Sequence, residues 1–118
     1  MLFRSTAAGF VFFVALVTQI RAEEATEKQK IEKLIAAVEG LADASFVRNG
    51  KSYDAKSAGT FLRAKWDRAR DVKTAADFID TCATKSSTSG EAYVIRFKDG
   101  TEKKCADYLR EQLKKIEQ

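Results

Sequence analysis

The stretch Ser45-Phe46-Val47-Arg48-Asn49-Gly50-Lys51-Ser52-Tyr53 decides how this chain folds. Asn-Gly between two short extended segments is a strong local hairpin signal. A two-residue turn of this kind needs positive φ at both central positions, which Asn and Gly tolerate. Across such a turn Arg48 stands opposite Lys51, and Phe46 opposite Tyr53 as a cross-strand pair. Side chains alternate along a strand, so Arg48 shares a face with Phe46. The guanidinium is therefore expected over the following helix and Tyr53, partly shielded from solvent.

Outward from this hairpin the pattern is helical on both sides. Asp54 caps a helix over about 55–70, with Ala58, Leu62, Trp66 and Ala69 as its buried stripe and Phe61 alongside. Upstream, Ile31, Leu34, Ile35, Val38 and Leu41 give a helix over 24–42 with one apolar stripe. Its outer face carries Glu27, Lys28, Lys30, Glu32 and Lys33. Thr74-Ala75-Ala76-Asp77 is a capping-box variant that opens a third helix, with Phe78, Ile79, Cys82 and Ala83 turned inward. Lys85-Ser86-Ser87-Thr88-Ser89-Gly90 stops it. Tyr93–Phe97 is a strand candidate, Asp99-Gly100 a tight turn, and Thr101–Lys104 the return strand. Cys105, Leu109, Leu113 and Ile116 then mark a C-terminal helix. The expected fold is α+β: about four helices with two short β-hairpins in a single small domain.

That domain is expected to span residues 23–118, after a signal peptide at 1–22. Arg4 precedes an uncharged stretch from Ser5 to Ile20 with its apolar core at Ala7–Val17, and Ile20-Arg21-Ala22 offers a cleavage site. A membrane-spanning helix needs roughly 20 apolar residues, and this run is shorter and ends at Arg21. The expected address is periplasmic, with no membrane insertion after cleavage. Arg4 and Arg21 leave with the signal, so 19 Lys and Arg remain against 17 Asp and Glu. A balance so near neutrality gives no argument for nucleic acid as a partner. Both cysteines, Cys82 and Cys105, lie in the exported part, and an even count in an oxidising compartment reads as a disulfide. Closing that loop would stabilise the fold by roughly 3 kcal/mol on the chain-entropy view. The alternative is two buried free thiols.

The chain has no histidine. This removes Ser-His-Asp and Cys-His nucleophilic sites and the usual zinc ligand sets, and no metal or other cofactor is expected. No Gly-rich phosphate loop and no G-x-S-x-G or S-x-x-K motif occurs. Asp77 and Asp80 share a helix face, but beside a cap they read as helix-dipole partners. The run Arg63, Lys65, Arg68, Arg70 with Trp66 is broken by Asp67 and Asp71, as on a solvated helix face. Two binding candidates remain. One is the hairpin tip Arg48, Asn49 and Tyr53, a guanidinium, an amide and a phenol, of which Arg suits planar carboxylate or phosphate groups. The other is the hydroxyl-rich loop of Ser86, Ser87 and Ser89. The plain readings are that Asn-Gly serves the turn, and that the serines bond nearby backbone and end a helix.

Phe46-Val47-Arg48-Asn49-Gly50 with Tyr53, then Ala58, Leu62 and Lys65, Thr74-Ala75, Phe78-Ile79, Ser86-Ser87, Ser89-Gly90 and Tyr93 together carry a resemblance. The chain is similar to the YfeK-like family of small exported bacterial proteins, classed as a domain of unknown function. The likeness runs from about Leu41 to Leu113. It implies a periplasmic address and brings no activity or ligand with it.

The functional expectation is an uncharacterised periplasmic protein acting as a non-enzymatic binding or accessory module. Its partner would be another periplasmic protein or a small anionic ligand. One alternative is a hydrolase or transferase using Ser86 or Ser87 with Lys65 or Lys85 as base. A second is a structural homo-oligomer formed through helix 1.

Overall fold

A computed structural model describes residues 25–118, and the expected signal peptide and its cleavage site lie outside them. Helix α1 (Glu27–Glu39) opens on a capping box: Thr26 Oγ1 accepts from Gln29 N, and Gln29 Oε1 accepts from Thr26 N. Its stripe Ile31, Leu34, Ile35 and Val38 is buried inside the chain's own core. The apolar face that an inter-chain seam through this helix would use is thus already covered. Strands β1 (Ser45–Arg48) and β2 (Lys51–Tyr53) form the first hairpin. Asn49 and Gly50 have φ of 53° and 78°, the left-handed values that the turn demands.

Asp54 caps α2 (Ala55–Arg68) by accepting from Ser57 N at 2.8 Å. The helix ends two residues earlier than the spacing predicts, because Ala69 takes an extended conformation. Helix α3 (Ala75–Cys82) begins with the Thr74/Asp77 capping box and buries Phe78, Ile79, Cys82 and Ala83, as read from the sequence. Trp66 of α2 meets Phe78 edge to face, with ring centroids 6.0 Å apart. Strands β3 (Val94–Arg96) and β4 (Glu102–Lys104) make the second hairpin, and α4 (Cys105–Glu117) closes the chain.

The two hairpins are not separate. They join through β1 and β3 into one antiparallel sheet of order β2-β1-β3-β4. Phe46 pairs with Tyr53 on one side and with Ile95 on the other, and Ile95 pairs with Lys103. That row supplies the buried face, since Phe46 and Ile95 are both in the core. The neighbouring row, Ser52, Val47, Val94 and Lys104, is at least partly open to water. The four helices of the described residues gather on the buried face, an α+β arrangement.

The expected Cys82–Cys105 bond is not formed in this structure. Both are free thiols inside the core. Cys82 ends α3 near Lys65, whereas Cys105 starts α4 and lines a cleft under the sheet. Burial pushes the Cys82 thiol up and the Cys105 thiol up to about 12.

Candidate functional site

The period-two argument places Arg48 correctly. Arg48 faces Lys51 across the turn and shares a face with Phe46. Its Cζ lies 4.4 Å from the ring centroid of Phe61 on α2 and 5.5 Å from that of Tyr53. A cation over an aromatic face is held by the ring's quadrupole. Among the described residues, Arg48 makes no salt bridge and no side-chain hydrogen bond. Ring contacts use none of the guanidinium's N–H donors in a conventional hydrogen bond, so these have no acceptor among the described residues.

Beneath Arg48 is a cleft of about 310 Å³ between the first hairpin and α2. Phe46, Tyr53, Phe61, Leu62 and Tyr93 supply most of its wall, and Ser57 and Thr60 lie on the helix side. Phe61 and Tyr93 meet edge to face at 5.5 Å. Lys65, one turn beyond Phe61, donates from Nζ to Tyr93 Oη at 3.0 Å and to the Lys85 carbonyl at 3.3 Å. The same ammonium stands 5.1 Å from the Tyr93 ring centroid and 5.8 Å from that of Phe61. No Asp or Glu is within salt-bridge distance of Lys65 among the described residues. Two cations thus converge on Phe61, neither with a paired carboxylate among the described residues.

The serine loop is brought to the hairpin tip, but in a supporting role. Asn49 Nδ2 donates to Ser86 Oγ at 3.2 Å, and Ser89 Oγ donates to Asn49 Oδ1. Ser86 is 3 % exposed, and its Oγ also accepts from Thr88 N at 3.2 Å and lies 3.0 Å from Thr88 Oγ1. Ser86 N donates to Glu91 O, and Lys85 pairs with Ala92, so the loop is closed at its base. Ser87 points to solvent and joins none of these bonds. Among the described residues no lysine amine is within hydrogen-bond distance of Ser86 or Ser87 Oγ. Ser86 and Ser89 bond nearby backbone, as the plain reading has it.

Asn49 therefore has two jobs, the left-handed turn and the clamp to Ser86 and Ser89. Phe61, Lys65 and Tyr93 belong to the site although the sequence reading placed them elsewhere. Phe61 and Lys65 are four apart, which puts them on one side of α2. That spacing was the signal available. The sequence alone reads Lys65 as part of a solvated helix face, or as a base for the serine loop, because it cannot see Tyr93 arriving just before β3.

Residues 25–117 match the family of unknown function DUF5329. The chain belongs to that family. A relative within reach of direct comparison is the uncharacterized protein YfeK of Salmonella typhimurium, 36 % identical over 70 residues. The match covers 58 % of this chain and 58 % of YfeK, so the chain spans a little over half the length of that relative. No solved structure matches. For this DUF5329 domain the chemistry of the site has to be argued from the cleft itself.

Proposed function

We propose that the protein is a periplasmic binding module, not an enzyme, and that the Arg48 hairpin holds its ligand, a small anion. The observation that carries this reading is the Arg48 guanidinium lining an aromatic cleft, with no carboxylate partner among the described residues. A cation held by ring faces alone retains its capacity for charge-assisted hydrogen bonds. The clamp from Asn49 to Ser86 and Ser89 supports it further, because a rigid turn fixes the cation before a ligand arrives, which lowers the cost of binding. The charged n-region, apolar core and Ile20-Arg21-Ala22 support the periplasmic address. Nothing in the site favours the Ser/Lys alternative: Lys65 is committed to Tyr93 and Lys85, away from the serine hydroxyls.

The test is the side-chain Nε–H resonance of Arg48 in a nitrogen–proton correlation spectrum. Acetate, inorganic phosphate and 4-phenylbutyrate are titrated against sodium chloride at matched ionic strength. A saturable shift with at least one of the three and none with chloride is expected. An Arg48 resonance unmoved by all three would overturn the reading.

A further inference from the structure

We infer that the cleft takes a small monocarboxylate with an apolar body, its carboxylate on Arg48 and its body against Phe46, Phe61 and Leu62. This rests on the small-anion reading above and names the class of anion.

The size and lining set the body. Ligand pockets run from roughly 300 to 1,000 Å³, and about 310 Å³ puts this one at the small end. Its walls are mostly ring and aliphatic carbon, and burying such surface with an apolar partner contributes roughly 25 cal/mol per Å² before the costs of association. A sugar or a free amino acid would leave its own polar groups unpaired against those walls.

The donors set the head. One planar guanidinium with unused N–H groups matches the two oxygens of a carboxylate, which it can engage side by side. Tyr93, which also lines the cleft, carries a second donor. It is 7 % exposed, its Oη already accepts from Lys65, and its own O–H proton has no acceptor among the described residues. A buried donor left unmatched is costly, and a ligand oxygen would relieve it.

The first turn of α2 disfavours a second negative charge. Asp54 caps α2 with its carboxylate 2.8 Å from the backbone N–H of Ser57, itself a cleft residue. The helix N-terminus that could have held a phosphate is thus occupied by a fixed negative charge. Repulsion from that carboxylate grows with the ligand's charge, so a monoanion is favoured over a dianion.

Isothermal titration of the purified protein with 4-phenylbutyrate, 4-phenylbutan-1-ol, acetate and inorganic phosphate tests the assignment. Saturable binding of 4-phenylbutyrate is expected, about tenfold or more tighter than each of the other three, as one charged hydrogen-bonded head and a buried ring would give. Arg48→Gln should lose about tenfold with the circular dichroism spectrum unchanged. Thr60→Phe, placed on an exposed helix position that lines the cleft, should lose a similar factor by filling the space. Phenylbutanol binding as tightly as phenylbutyrate would overturn the carboxylate head. Acetate or phosphate binding as tightly, lost in Arg48→Gln, would overturn the apolar body while leaving the small-anion reading intact. Absence of Arg48-dependent binding by all four would overturn both. A hexapeptide ending in a free phenylalanine carboxylate, if bound about tenfold tighter than phenylbutyrate, would overturn the free-acid assignment in favour of a protein C-terminus.

Discussion

Asn49 at the tip of the first hairpin donates from Nδ2 to Ser86 Oγ, 3.2 Å away in the loop after α3. Ser86 is almost fully buried, and its oxygen also takes the backbone N–H groups of Thr88 and Ser89. Ser86→Ala would leave these donors without their acceptor. The expected cost is about 1–3 kcal/mol, at about 4–8 °C of melting temperature per kcal/mol for a domain of this size. Urea denaturation of the variant measures it, and an unchanged midpoint would show that the clamp carries no stability.

Arg48→Gln is expected to behave differently. It removes the contacts to Phe61 and Tyr53 but breaks no hydrogen bond among the described residues. Such contacts contribute about 0.5–1 kcal/mol, so the melting temperature should fall by only a few degrees. A collapse of the fold in this variant would mark Arg48 as an anchor of the hairpin and weaken its claim to a ligand.

Stability should decline in acid. The N–H of Ala75 beside Glu27, together with the Lys30 ammonium, holds the Glu27 carboxyl below its ordinary 4.5. The backbone N–H groups of Lys73 and Thr74 do the same for Asp77, and Ser57 for Asp54, each below 3.8. Depressed folded values mean that the unfolded chain binds protons first. The stabilisation is therefore complete above about pH 4.5 and is lost as the pH falls through the folded values. Urea midpoints at pH 7 and pH 3 should differ, with Asp77→Asn reducing the difference. Equal midpoints would contradict the capping assignments.

The thiols should be silent in the folded protein. With Cys105 pushed up to about 12 by burial, on the order of one molecule in 10,000 carries the thiolate at pH 8. Iodoacetamide is expected to add nothing in native buffer and two equivalents in denaturant without reductant. A species two hydrogens lighter that resists alkylation after unfolding would restore the disulfide expectation.

Processing is tested by intact mass. Protein recovered from the periplasm should begin at Glu23, and a full-length, membrane-retained chain would refute both the cleavage site and the address.

Elements set by neighbours in sequence were legible. Asn49-Gly50 fixes the first turn, Asp54 and Thr74 cap their helices, and period-two alternation places Arg48 on the Phe46 face. Legibility ended where contacts join distant segments. The pairing of Phe46 with Ile95 is chosen by the shared core, and no local pattern in either strand announces it. The same holds for Asn49 with Ser86 and for Lys65 with Tyr93, each more than 25 residues apart. The cysteines misled for a related reason. An even count encodes a compartment argument but not whether the two thiols meet, and in this structure both are buried and free.

The β1–β3 pairing also sets an order of events during synthesis. Ser45 must wait for Arg96, about fifty residues later, before the centre of the sheet can close. Until then β1 has a partner on one side only, and the aromatic face of the first hairpin is uncovered in the nascent chain. The capped helices α2 and α3 lie within that interval and can form locally beforehand, shortening the effective loop. Strand β3 thus completes the fold from its middle, and any truncation before Arg96 leaves a ribbon with an open edge suited to binding chaperones or aggregating.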